Sequence, residues 1–300
     1  MAWIKTNSLS RRAVADVPGC VRVVWHESVG IRFELAFGAP QSELRPYVSE
    51  YIGWLDESTV RARRRQVPSG VVPLIMNLES AVREQKADEI DVHTYRAFTA
   101  GLHERYTIVE PVGGGLGFQV NFTPLGARLY YDRPLAEFTN LTVELSDVIG
   151  TSAGTLMSQL HDTTSWHERF QVLEGDIRAR LGRARRPPDA IAQALHALRV
   201  AHGDLRIRRL AEVSAWGERH LTSQFREHVG LTPKGYARLL RLGRAMSLGR
   251  DARARPLVAI AQTCGYYDQA HLARECRAIS GLSPSALLQH QLPADSGFSA

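Results

Sequence analysis

The chain has 300 residues, 44% of them hydrophobic and 23% charged, enough for two domains with cores of their own. No run of about 18 apolar residues suggests a membrane span, and three cysteines (Cys20, Cys264, Cys276) without CxxC spacing argue against a zinc site or a disulfide framework. The net charge of +6 is unevenly placed, with 18 Lys+Arg against 8 Asp+Glu in residues 183–290 and 19 against 23 in the remainder.

A near-neutral segment joined to one of net +10 suggests that the second part meets a polyanion. Only three of the 37 basic residues are Lys, a sign of compositional bias toward Arg. Such bias would enrich Arg throughout the chain but would not by itself segregate net charge. The N-terminal "MAWIKTNSLSRRAV" lacks an apolar core of signal-peptide length. With the sparse cysteines, this gives a cytoplasmic compartment as the expectation.

From about residue 20 to 145 the chain reads as β. "VRVVW", "IRFELAF", "VVPLIMNL", "VHTYRAF", "YTIVE" and "LGFQVNF" are short β-branched or aromatic runs punctuated by Gly, Pro and Asp. Many short strands without alternating helices favour a barrel or sandwich. The period then lengthens: "SWHERFQVLEGDIRARL" places Trp166, Phe170, Leu173, Ile177 and Leu181 on one helical stripe, with Ser165 and Glu168 at capping-box spacing. That helix could pair two protomers or pack on its own barrel. "GRARRPPDA" (182–190) is a charged, Pro-containing break and the expected domain boundary. "DAIAQALHALRVAHG" follows as a short helix ending near Gly203.

Next comes a repeat. "HLTSQFREHVGLTP" from His220 and "HLARECRAISGLSP" from His271 share their pattern at a constant offset of 51 residues. In the first copy, "LAEVSAW" and "GERHLTSQFREHVG" form two short helices about a tight turn. Leu221 and Phe225 face inward, with Arg219, Thr222, Ser223 and Arg226 on the other face. In the second copy, "IAQTC" leads through "GYYD" into "QAHLARECRAISG". Leu272 and Cys276 point inward there, and Gln269, Ala270, His271, Ala273, Arg274 and Arg277 lie around the exposed side. Asp268 has the position of an N-cap. Each copy is a helix-turn-helix whose second helix is sized for a DNA major groove. "TPKGYARLLRLGRAMSLG" connects them as one helix beginning near Pro233, and roughly 16 residues span about 24 Å. With its flanking turns, this helix could hold two recognition helices about one DNA turn (~34 Å) apart. A helical repeat that binds protein is the alternative, and the charge asymmetry argues against it.

"GYYDQAHLARECRAISGLSP" and "LAEVSAWGERHLTSQFREHVGLTPKGYARLLRLGRAM" resemble the second and first helix-turn-helix of AraC/XylS-type transcription regulators over roughly residues 190–290. The resemblance implies a seven-helix DNA-binding domain. It assigns base-facing roles to Arg219, Thr222 and Ser223 in one copy and to Gln269, Ala270, His271 and Arg274 in the other, with Arg226 on the same DNA-binding face. Ala215 stands where the family often has Gly in the first turn, and Gly217 where it often has a Ser cap. Ser223 replaces a common Arg, and Cys276 a core Phe, where a small buried hydrophobe is the plainer reading than a redox sensor.

"ELRPYVSEYIGW", "RRRQVPSGVVPLIMNL" and "GLGFQVNFTPLGARLYY" resemble the sensor domain of a subgroup of these regulators, which implies a cupin-like β-barrel with trailing helices. Its isolated histidines, such as His93 and His103, lack the grouping of a cupin metal site, and neither "HERY" nor "HERF" is HExxH. "PVGGGLG" lacks a P-loop ending and reads as a glycine-rich hairpin. "RARRR" (61–65) could touch phosphate, with a solvated loop the plainer reading. Trp25, Trp54, Phe98, Phe118 and Tyr130 could line an apolar pocket, but aromatics on barrel strands are more often simply core.

The fold class expected is α+β, with a β-barrel sensor or oligomerisation domain and helical tail at 1–185 and a double helix-turn-helix at 186–292. The expected function is a DNA-binding transcription regulator, not an enzyme, with no catalytic residues, metal or cofactor. Double-stranded promoter DNA is its partner, with RNA polymerase, a small-molecule effector and a second copy of the chain as further partners, and no membrane. Competing readings are an N-terminal enzyme fused to a DNA-binding domain, and an architectural DNA-binding protein of little sequence preference. Effector-binding residues, operator sequence and the choice between activator and repressor are not legible.

Overall fold

The structure, a computed structural model, describes residues 13–17, 21–28, 30–58, 63–251, 255–290 and 298–299. Cys20 and the first two residues of "RARRR", Arg61 and Ala62, lie outside them. In chain order the strands are β1 (Ala13–Val17), β2 (Val21–Ser28), β3 (Ile31–Gly38), β4 (Val48–Asp56), β5 (Arg64–Gln66), β6 (Val72–Asn77) and β7 (Ala81–Lys86). They continue as β8 (His93–Tyr95), β9 (Ala97–Ala100), β10 (Thr107–Val112), β11 (Gly115–Phe122), β12 (Thr142–Glu144) and β13 (Phe298–Ser299). One sheet has the order β1-β2-β3-β4-β11-β6-β9-β12 and the other β13-β5-β10-β7-β8, and every pairing is antiparallel. The expected β-rich N-terminal region is present, as two antiparallel sheets followed by helices.

The middle of the first sheet is the hydrophobic centre of this domain. On β11, Phe118, Val120 and Phe122 are completely buried, and β4 and β6 flank the strand on either side. "PVGGGLG" is not a hairpin, because β10 and β11 belong to different sheets. Gly113 (φ +91°) and Gly115 (φ +104°) make the turn that carries the chain across, a conformation only glycine adopts without strain. The β reading to residue 145 is also interrupted. Thr123 accepts a hydrogen bond from Gly126 N and starts helix α1 (Pro124–Tyr131), with Pro at its first turn. A 3-10 turn, Leu135–Phe138, follows. Of the five aromatics assigned to the core, Phe98, Phe118 and Tyr130 are buried, whereas Trp25 is exposed.

Helices α2 (Leu145–Ile149), α3 (Ser152–Asp162) and α4 (Trp166–Leu181) close the N-terminal region. Ser165 caps α4 by accepting from Glu168 N at 3.2 Å, as the capping-box spacing predicts. The helix packs on its own sheet. Trp166 and Phe170 lie over Gly53 and Gly38, where a Cβ on either strand would collide with the ring above it. Phe170 also stacks on Tyr51 at 5.7 Å, and Leu173 and Ile177 are buried below. Burying side chains of this size stabilises by about 1.5–3 kcal/mol each.

Residues 182–188 lie between α4 and seven further helices among the described residues. These are α5 (Asp189–Val200), α6 (Ile207–Ser214), α7 (Glu218–Val229), α8 (Pro233–Asp251), α9 (Leu257–Thr263), α10 (Gln269–Ser280) and α11 (Pro284–Gln289). The apolar stripes meet as expected, with Leu221, Phe225, Leu272 and Cys276 all fully buried. Helix α8 runs 19 residues, about 28 Å, as a single connection between the two repeat copies.

Candidate nucleic-acid interface

Each repeat copy is a short helix, a turn and a longer helix, but the turns differ by one residue. In the first, Ala215 takes the left-handed conformation (φ +55°), Trp216 follows, and Gly217 caps α7 through its backbone alone. In the second, Gly265 takes that conformation (φ +73°) and is followed by both Tyr266 and Tyr267. Asp268 then caps α10, its carboxylate accepting from His271 N at 2.6 Å. The added residue is Tyr267, which is 92% exposed at the mouth of α10.

The outward faces carry the residues picked out from the sequence. Arg219, Ser223 and Arg226 on α7 are exposed, and so are Gln269, Ala270 and Arg274 on α10. Thr222 is half-buried and donates its hydroxyl to Glu218 O at 2.7 Å, leaving oxygen lone pairs to accept. His271 is drawn back onto its own turn. Its ring meets Tyr266 edge-on at 5.3 Å, and Tyr267 N–H donates to Nδ1 at 3.4 Å. His220 packs on Trp216 in the same way at 4.6 Å. Repeat-equivalent imidazoles thus brace the two turns.

Arg219, Thr222, Ser223 and Arg226 line one open groove, which Arg206, Arg208 and Lys234 also line. Those last three were counted in the charge of the segment but not singled out. Their signal was position, since Arg206 and Arg208 flank the start of α6 and Lys234 opens α8. The "RARRR" reading as a solvated loop needs correction. Arg64 and Arg65 belong to β5 and are half-buried, and Arg65 stacks on Tyr106 at 3.9 Å and donates to Ser280 O at 3.0 Å.

Buried charge ties α10 to α8. Glu275, 8% exposed, accepts from Arg238 Nε at 3.2 Å and from Arg241 Nη2 at 3.2–3.3 Å, and Arg241 also donates to Gly203 O. At the far end of α7, Arg128 Nε donates to His228 Nδ1 at 3.4 Å. Burial, reinforced by the Arg128 guanidinium against an opposing pull from Glu227, holds the His228 pKa below its ordinary value, so the ring accepts as a neutral base.

Residues 210–290 match the family described as "Helix-turn-helix domain", and residues 37–144 match a "Domain of unknown function (DUF6597)". No curated protein matches. Among solved structures, a probable AraC family transcriptional regulator from Rhodopseudomonas palustris is 27% identical, with 35% of this chain and 100% of that one covered (TM-score 0.32). ToxT from Vibrio cholerae is 8% identical, with 77% and 96% covered (TM-score 0.44). The C-terminal domain of AraT, a response regulator from Geobacillus stearothermophilus, is 18% identical, with 37% and 93% covered (TM-score 0.34).

Proposed function

We infer that this chain, a DNA-binding transcription regulator by its AraC-type helix-turn-helix domain, reads two adjacent major-groove segments of promoter DNA with α7 and α10. The observation that carries the reading is the duplication itself, a pair of capped helices with exposed polar faces joined by one continuous helix. In the first segment Arg219, Thr222, Ser223 and Arg226 supply the contacts. Arg206, Arg208 and Lys234 are spaced around the same groove to neutralise phosphates. In the second segment, Gln269 and Arg274 can each make a bidentate base contact, and Ala270 offers a methyl to thymine. His271, braced on its turn, is assigned a smaller share. The domain boundary at 185–186 and a regulatory role for the N-terminal domain, through an effector, a second copy of the chain or RNA polymerase, belong to the same proposal. Catalysis forms no part of it.

The test is the ratio of affinity for a selected site to that for random duplex. A sequence-specific regulator gives about 10³ or more, and an architectural protein gives a ratio near one. Arg274→Ala should cost about 1–3 kcal/mol on the selected site and relax preference at one or two positions. Weakening by the same factor on every sequence, with a shallower salt dependence, would instead make Arg274 a phosphate contact.

A further inference from the structure

Gly230 and Gly281 are the same residue of the repeat, 51 positions apart, and each ends its recognition helix in the left-handed conformation (φ +93° and +75°). The N-terminal domain touches the chain at both. At the first, Thr139 donates its hydroxyl to Gly230 O at 2.6 Å, and Leu135 O lies so near that an added Cβ would stand 3.0 Å from it. At the second, Tyr106 N donates to Ile279 O at 2.9 Å and Arg65 donates to Ser280 O at 3.0 Å. The Tyr106 ring fills the space that a side chain at position 281 would need. Between these grips, Tyr236 of α8 donates its hydroxyl to Gly70 O at 3.1 Å. The last carbonyls of a helix have no partner within it, so donors placed there hold its end at low cost.

We propose that Arg65, Tyr106 and Thr139 are positioning residues for DNA reading, through which the N-terminal domain fixes the separation of α7 and α10 and so the operator spacing the chain accepts. The proposal rests on the two-segment reading above. The three residues bond to or pack on the C-terminal ends of the recognition helices, and none is among the groove residues assigned to DNA, so they act on DNA through helix placement. Two donors from the sheet region hold the end of α10, and the Thr139 hydroxyl, with Arg128 on His228, holds the end of α7. Within the helical region α8 links the two helices, with Glu275 tying α10 to it, and the contacts from the first domain add a second constraint on their separation. Held at both ends, they keep one spacing.

The experiment uses the full chain and a selected two-segment site, with the segments moved apart or together by one base pair. One base pair carries a recognition helix ~35° round the duplex, and the wild type should lose about tenfold or more in affinity. Arg65→Ala, which removes a donor, and Tyr106→Ala, which keeps the backbone N–H but removes the ring packed on Gly281 and under Arg65, should flatten this spacing profile to about threefold or less, with base preference inside each segment unchanged, and Arg65→Lys should restore it. Thr139→Val, which removes one hydroxyl at the opposite grip, carries the same expectation if a sheet variant fails to fold. Variants that bind more weakly yet lose affinity with spacing in parallel with the wild type would reduce these residues to structural supports and overturn the proposal. A wild type that prefers no site would instead overturn the function on which it rests.

Discussion

Ala215 occupies a conformation that favours glycine. At φ +55° its Cβ crowds the following carbonyl, and its counterpart in the second turn is Gly265. The first turn keeps the conformation because its N–H bonds back to α6 and Trp216 packs against His220 beyond it. Ala215→Gly should therefore stabilise the chain by about 1 kcal/mol, measured by reversible denaturation, with DNA preference unchanged. A loss of stability would place the turn in another conformation. The sequence marked Ala215 as a departure from the family pattern, and the positive φ gives that departure its physical cost. Arg65 shows the opposite limit. A run of arginines has no periodicity of its own, and only the fold reveals that one of them is aimed at a helix end 215 residues away.

At the scale of elements, α10 is held by a carboxylate rather than by apolar packing alone. Glu275 faces Arg238 and Arg241 of α8, and Arg241 is largely withdrawn from water. Removing the carboxylate leaves that guanidinium uncompensated. Glu275→Ala should cost about 3 kcal/mol in equilibrium unfolding and weaken the second segment's readout more than the first's. An unchanged melting temperature would mean that solvent already satisfies both arginines. The helices of this region were legible because each carries its own signature: apolar spacing for Leu221, Phe225, Leu272 and Cys276, and cap chemistry for Ser165 and Asp268. The interior of the β-region was less so. Strands such as β5, β7 and β12 are short and mostly polar, and their pairing is set by neighbours remote in sequence. The glycine turn after β10 was visible as glycine, but its crossing between sheets was not.

Across the whole molecule, the N-terminal domain meets the DNA-binding region at α7, α8 and α10, leaving the outward faces of the two recognition helices to solvent. None of these contacts could be read from the sequence, because each joins residues about 90 to 215 positions apart with no shared motif. The second helix of each repeat copy, by contrast, was legible, since its constant offset survives in both sequence and structure, whereas the extra residue in the second turn was not. The central claim is that one chain reads two segments on one face of the duplex. It is tested most directly by inserting five base pairs between the segments of a selected site, which turns one of them through about half a helical turn. The account predicts that affinity falls to that of a single segment. Unchanged affinity would show that only one copy of the repeat reads DNA.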